Sequence, residues 1–326
     1  MIISETPLRM SFVGGGSDLP AFYRLHGGAV ISTAIDKYVY VTVNKKFDDW
    51  IRLSYSKTEE VKSVAQIEHA IVRVTLQKLG ISGGVEITSV ADIPSRGTGL
   101  GSSSSFAVGL LHALHAYQGQ YVSASQLGEE SSCVEIDLCG SKIGKQDQYA
   151  AAFGGFNIIR FNPDDSVIVD PIICQKEVIQ RLEASILAFY TGVARSASSI
   201  LASQSEQMES NRETRNIMGR MVQLVYALRD DLQSDNLAAF GEILHENWVL
   251  KRSIMTNISN PAIDDWYARG RAAGAIGGKL LGAGGGGFLI FYAPPERHCE
   301  IERALPELRR IDFKFESRGS RIILFH

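Results

Sequence analysis

Only four cysteines occur in 326 residues, at Cys133, Cys139, Cys174 and Cys299. No two have the spacing of a zinc-ligand pair, and a chain this long does not depend on a framework of disulfides. Reduced thiols in a cytoplasm are the expectation. No stretch approaches the ~18 uninterrupted apolar residues of a membrane span, and Met1-Ile2-Ile3-Ser4-Glu5 has neither the basic region nor the apolar run of a signal peptide. No membrane partner is expected. An excess of one charge is missing as well: the net charge is −3 and both signs are interspersed. Nucleic acid would need a basic stripe to neutralise its phosphates, so it is not expected as a partner. The 9 prolines and 31 glycines fall short of a disordered or collagen-like composition. At 45% apolar and 21% charged residues, the chain has the means to bury a full core.

Strands and helices are expected in mixed order, which favours α+β over a doubly wound sheet. The first 60 residues read as strands: Val39, Val41 and Val43 alternate with Tyr38, Tyr40 and Thr42 at period 2. Residues 64–79 take helical spacing, and further helices are expected over Phe106–Tyr117, 124–138, 197–232, 236–251 and 262–273. Strands at 157–161, 288–292, 313–315 and 322–325 complete the pattern. A domain boundary is expected near 172, giving segments 1–172 and 173–326.

Three glycine-rich segments stand out. In Pro94-Ser95-Arg96-Gly97-Thr98-Gly99-Leu100-Gly101-Ser102-Ser103-Ser104-Ser105, closely spaced glycines let the backbone turn its amides toward one point. The helix that follows adds unpaired N–H groups and a positive dipole end. A polyanion such as a nucleotide triphosphate suits that environment, and the serines are candidate magnesium ligands. The segment is no Walker loop, since no Gly-Lys-Ser/Thr follows, and its spacing is wrong for a dinucleotide fingerprint. A flexible turn with a capping serine is the plainer reading. In Gly282-Ala283-Gly284-Gly285-Gly286-Gly287-Phe288, four consecutive glycines weaken whatever element they join. Either a ligand or another loop must approach that backbone closely. Near the N-terminus, a strand carrying Arg9 runs into Gly14-Gly15-Gly16-Ser17-Asp18, which by itself reads as a structural turn.

In this order and at these distances, the three segments resemble the motifs of the GHMP kinases, the family of galactokinase, homoserine kinase, mevalonate kinase and phosphomevalonate kinase. Gly14-Gly15-Gly16-Ser17-Asp18 departs from the Gly-Glu-His-Thr-Asp of galactokinase. It is similar to the branch of sugar-1-kinases that contains the heptose 7-phosphate enzymes and fucokinase. Gly144-Lys145-Gln146-Asp147-Gln148 through Gly155, and His245-Glu246-Asn247-Trp248 through Lys251-Arg252, resemble that branch too. The resemblance implies a two-domain α+β fold, the second half ferredoxin-like, with the site in the cleft between the domains. It implies ATP and Mg²⁺, and phosphorylation of the anomeric hydroxyl of D-glycero-α-D-manno-heptose 7-phosphate, as a step toward nucleotide-activated heptose for capsule or other surface polysaccharide. A fucose or other neutral-hexose 1-kinase and a catalytically silent sugar sensor are the alternatives.

Roles follow from the same resemblance. Asp147 matches the catalytic aspartate; alone it would read as a helix cap. Arg9 and Lys145 are the cations expected beside it. Arg96 to Ser104 (Arg96, Gly97, Thr98, Gly99, Leu100, Gly101, Ser102, Ser103 and Ser104) would wrap the triphosphate. Ser103 and Glu135 would hold the metal. Gly16, Ser17 and Asp18 would line the sugar pocket, and Arg195, Lys251 and Arg252 are the candidates for a distal phosphate, with Lys142 and Arg24 as remoter guesses. Gly282, Ala283, Gly284 and Gly285 form the third motif. His112 and His115, three apart, have the spacing of a metal pair, but a solvated helix face is the simpler expectation. Homodimerisation is a reasonable expectation for a metabolic enzyme of this size.

Overall fold

The computed structural model describes residues 1–93, 97–193 and 197–326. Two sheets with helices packed on them make up the chain, so the architecture is α+β. The first sheet has nine strands, of which seven come from the first half: β1 (Ile2–Val13), β2 (Gly28–Lys45), β3 (Ile51–Ser54), β4 (Thr58–Val61), β5 (Val85–Ala91), β6 (Phe156–Phe161) and β7 (Val167–Pro171). β1 and β2 pair antiparallel along almost their full length, and β5 continues the sheet beside β2. The valines of the 39–43 alternation are buried on one face, as their period requires.

The helices of this half are α1 (Pro20–His26), α2 (Ala70–Lys78), α3 (Ser102–Tyr117), α4 (Ala124–Ser132) and α5 (Gln146–Phe153). The expected helix over 64–79 is broken into a short 3₁₀ turn, Val64–Gln66, and α2. The buried Glu59 carboxylate accepts the amides of Glu68 and His69, at 2.6 and 3.2 Å, which diverts the chain between the two pieces. α3 starts at Ser102 rather than Phe106, because the serines themselves form its first turn. It is apolar almost all round and correspondingly buried against β1 and β2.

The second sheet is four-stranded, ordered β11–β8–β10–β9, from β8 (Ile186–Tyr190), β9 (Gly277–Leu280), β10 (Phe288–Tyr292) and β11 (Arg309–Arg310). Around it lie α6 (Lys176–Ala184), α7 (Ala197–Ser210), α8 (Arg212–Gln233), α9 (Ala238–Ile254), α10 (Pro261–Ala272) and α11 (His298–Ala304). The expected continuous helix over 197–232 is two helices. Asn211 leaves the helical region and its side chain accepts the Glu213 amide at 2.8 Å, capping α8.

The last strands, β12 (Phe315–Glu316) and β13 (Arg321–Phe325), cross back to the first sheet, where they pair with β2 and β1. A simple division into 1–172 and 173–326 therefore does not describe the sheets. Among the described residues, no helix is long and apolar enough to cross a membrane.

Candidate active site

Gly97, Gly99 and Gly101 all have positive φ, from 67° to 79°, a backbone that residues with a Cβ rarely adopt. The turn they make delivers the chain into the first turn of α3, where the amides of Ser102, Ser103 and Ser104 have no intrahelical partner. Those amides and the helix dipole converge on one cavity, lined by Gly97–Gly99, Gly101–Ser104, Arg9, Asp18, Glu135 and Asp147.

Arg9 and Asp147 form a bidentate fork, Nε to Oδ1 and Nη2 to Oδ2, both at 2.8 Å. The third nitrogen, Nη1, donates to the Gly99 carbonyl at 2.6 Å. One buried guanidinium thus fixes the carboxylate and the glycine turn together, a use that the fork geometry of arginine allows and lysine does not. Asp147 lies in the first turn of α5 and is part-exposed to the cavity, so it is not the helix cap; Lys145 holds that position.

Glu135 sits where α4 runs into a π-helix, Cys133–Leu138, in which the Cys139 amide reaches back to the Val134 carbonyl. The expected single helix over 124–138 therefore changes winding at this residue, as helices often do at functional sites. The carboxylate is buried, accepts Ser103 Oγ at 2.8 Å and Gln148 Nε2 at 2.7 Å, and meets no cationic side chain among the described residues. Burial pushes its pKa up, against the serine and glutamine hydrogen bonds. Among the described residues there is no cluster of three or more His, Cys, Asp or Glu suited to a metal. A hard divalent ion at Ser103 and Glu135 would need its remaining oxygens from phosphate and water, the usual habit of magnesium.

Asp18 is buried, with Oδ1 accepting the Gly16 amide at 2.9 Å and Oδ2 the Gln146 amide at 3.3 Å. Burial raises its pKa, with the Asp147 charge adding to the shift. Lys251 lines the same cavity and donates to the Gly15 carbonyl at 2.9 Å. Burial drives its pKa down to about 8, and Asp18 partly opposes that shift.

Several expected site residues lie elsewhere. The Lys145 ammonium bonds the Asp165 carbonyl and carboxylate, at 3.1 and 3.3 Å, and lies over the Tyr23 ring, so it does not face Asp147. Arg24 pairs with the same Asp165. The Ser17 hydroxyl is wholly buried and joins the backbone of Ala29 as donor and acceptor, tying the turn to β2 instead of lining the pocket. Leu100 contributes its carbonyl to the Arg9 amide while its side chain packs in the core. Arg252, one residue round the helix from Lys251, pairs with Asp264 at 2.9 Å on another face. Arg96 and Arg195 fall outside the described residues. His112 and His115 are not on a solvated face: His112 Nδ1 meets Ser320 Oγ, and His115 is buried against Glu130.

The third glycine segment answers the choice between ligand and loop. Gly282 and Ala283 reach the cavity, but Gly284 and Gly285 pack on Ile258, whose carbonyl accepts the Gly285 amide. A Cβ on Gly99 would lie 2.4 Å from the Leu281 carbonyl, and one on Gly287 2.5 Å from that of Thr98. The two loops are stacked backbone on backbone, and a side chain is excluded at Gly99 and at Gly287.

A second cavity of about 480 Å³ adjoins the first at Ser102 and Ser103, walled by Val39, Tyr55, His69, Ile93 and Phe106. The His69 ring stands edge-on to Tyr55 at 4.8 Å and lies 5.1 Å from that of Phe106. Nothing in the linear sequence marks these residues, which come from a strand end, a helix start and α3.

A model of the GHMP kinases N terminal domain matches residues 61–155, and one of the GHMP kinases C terminal region matches 228–309. Together they take in more than half of the chain. The chain belongs to the GHMP kinases. The D-glycero-α-D-manno-heptose 7-phosphate kinase of Campylobacter jejuni is 28% identical over 98% of this chain and 97% of its own length. Galactokinase of Pyrococcus furiosus is 27% identical over 99% and 97%. The crystal structure of a D-glycero-D-manno-heptose 1-phosphate kinase from Bacteroides thetaiotaomicron superimposes with a TM-score of 0.83 at 25% identity, covering both chains in full. As a GHMP kinase the protein is an ATP-dependent phosphotransferase with an alcohol group as acceptor.

Proposed function

We propose that this kinase transfers the γ-phosphoryl group of ATP to the anomeric hydroxyl of a sugar, D-glycero-α-D-manno-heptose 7-phosphate being the favoured acceptor. The observation that carries the reading is the Arg9–Asp147 fork, which lies against Gly101 at the amide-lined start of α3 and shares one cavity with Asp18 and Lys251. The triphosphate lies along residues 97–104 with its base in the cavity walled by Tyr55, His69 and Phe106. Asp18 accepts from sugar hydroxyls. Asp147 orients the anomeric hydroxyl and takes its proton as that oxygen bonds to the γ-phosphorus and the bridging oxygen leaves with ADP. Arg9 balances the negative charge between the reacting groups. The carboxylate of Glu135 and the hydroxyl of Ser103 would hold Mg²⁺, which would supply positive charge to offset that of the phosphates.

Choice of the heptose phosphate leans on the C. jejuni relative. A neutral hexose is the second reading, because Arg252 turns away and Arg9 and Lys251 are the cations that line the cavity among the described residues. ADP release with a panel of free hexoses and heptose 7-phosphate decides between them. Turnover of fucose or another free hexose, with none of the heptose phosphate, rejects the first reading.

Two further outcomes are expected. Glu135→Gln keeps an acceptor for Ser103 but loses the charge, so the Mg²⁺ concentration for half-maximal rate rises roughly tenfold or more; an unchanged Mg²⁺ titration removes Glu135 from this role. Lys251 has its native pKa lowered to about 8 from the usual lysine value. Below that pH both folded and unfolded chains carry the proton. As pH rises past it, the native state releases the proton first, so Lys251 contributes a gain in stability with pH while the cavity loses a cation. KM for the acceptor should rise above pH ~8 in wild type and lose that inflection in Lys251→Met. A flat acceptor profile across pH 7–9 would show that Lys251 does not meet the substrate.

A further inference from the structure

Lys279 does not line the cavity, yet its side chain reaches from β9 of the second sheet into the first. It is 4% exposed, and its ammonium donates to the carbonyls of Ser11 and Phe12 at 2.8 and 2.9 Å. These lie at the end of β1, where the pairing with β2 skips Phe12. Just beyond, the Gly14 amide donates to Asn247 Oδ1 at 3.1 Å, and the Gly15 carbonyl accepts from Lys251 at 2.9 Å. Four backbone groups between Ser11 and Gly15 are thus held by three side chains of the second half. Arg9 lies two residues before this stretch and Asp18 three residues after it.

A lysine at such a depth is costly unless its N–H groups are used. No carboxylate pairs with Lys279 among the described residues, and burial beside Lys251 and Arg9 lowers its pKa well below the usual lysine value. If the position only had to fill space, an aliphatic residue would fill it without that penalty. What the ammonium supplies is two directed donors at a strand end whose pairing is interrupted.

We propose that Lys279 is a positioning residue of the phosphoryl-transfer site: its grip on Ser11 and Phe12 sets the distance between Asp18, which holds the acceptor, and the Arg9–Asp147 pair, which meets the reacting hydroxyl. This rests on the reading of Asp18 as the acceptor's ligand. The nucleotide side, residues 97–104, has holds of its own besides β1, since its backbone is stacked on the Leu281–Gly287 loop and Gly99 receives Arg9. Loss of Lys279 should therefore be felt much more by the sugar than by ATP.

The test compares wild type, Lys279→Met, which keeps the length of the stem without its donors, and Lys279→Arg, which keeps donors. In Lys279→Met, acceptor KM rises and kcat falls, for a combined loss in kcat/KM of about 100-fold, as expected for a misplacement on the order of 1 Å. Affinity for a non-hydrolysable ATP analogue, measured by calorimetry, stays within about twofold of wild type. Lys279→Arg recovers part of the loss. Amide hydrogen exchange speeds up at residues 12–18 and is unchanged at 97–105, a readout that needs no turnover. Should Lys279→Met not fold, Lys279→Gln, whose shorter, uncharged side chain keeps N–H donors, gives the same split at smaller amplitude. Unchanged acceptor kinetics, or nucleotide affinity that falls in parallel with acceptor affinity, overturns the proposal. If wild type turns over no sugar on the panel, the functional reading fails instead, and the exchange pattern still tests the grip of Lys279.

Discussion

Asp147→Asn should bind ATP almost as wild type does and lose about 10²- to 10⁴-fold in kcat, the usual contribution of a positioned acid or base. The asparagine carbonyl still accepts one nitrogen of Arg9, whereas the second nitrogen of the fork faces an amide in place of an oxygen. Because the guanidinium is buried, breaking its partnership costs more than a surface pair would, and some loss of melting temperature should accompany the loss of rate. The decisive comparison is single-turnover rate against nucleotide affinity. Near-normal turnover in Asp147→Asn would exclude the carboxylate from proton transfer. A parallel collapse of both quantities would make Asp147 a scaffold for Arg9 rather than a reacting group.

The second large effect is expected at Gly99. A Cβ there meets the Leu281 carbonyl at 2.4 Å and the Gly282 amide at 3.2 Å, and the backbone is left-handed at φ 79°. Neither obstacle is a side chain that can swing aside. Gly99→Ala must therefore push the phosphate loop off the loop beneath it, move the carbonyl that receives Arg9, or both. With strain on the order of 1–3 kcal/mol at the backbone alone, we expect a clear fall in melting temperature and a loss in kcat/KM for ATP of about 100-fold or more. Gly119→Ala is the control: its φ of 73° is also left-handed, but nothing lies within 4 Å of the added methyl. That variant should share the backbone penalty and keep its kinetics. Equal kinetics in the two would mean that the stacking of the loops does not shape the nucleotide site.

What was legible in the sequence was three glycine-rich segments whose order and spacing resemble the motifs of one family. That resemblance, not the glycines themselves, singled out Arg9, Glu135, Asp147, Asp18 and Lys251, and the structure brings these five to one cavity. The alternating valines of β2 and the apolar helix α3 were equally plain, since burial imposes their periods. What the sequence hid was direction. Lys145 and Arg252 look like site cations by position along the chain, but each found a nearer carboxylate, in Asp165 and Asp264. Lys251 and Arg252 are neighbours on one helix, and the turn between them sends one into the cavity and the other to a different face. Tyr55, His69 and Phe106 meet only through tertiary packing, which leaves no local pattern. The breaks before α2 and α8 escaped notice because apolar spacing runs straight through both, while the groups that interrupt them, Glu59 and Asn211, are polar.

β13 lies against β1, and every strand of the second sheet falls between them in sequence. During synthesis the strand that carries Arg9 therefore waits, with one edge open, while the whole of the second sheet is made. Pairing across so long a separation is slow to close, and an open edge invites the wrong neighbour in the meantime. For this kinase the vulnerable interval is the one before β13 docks, and overproduction should tax its folding more than its finished stability would suggest.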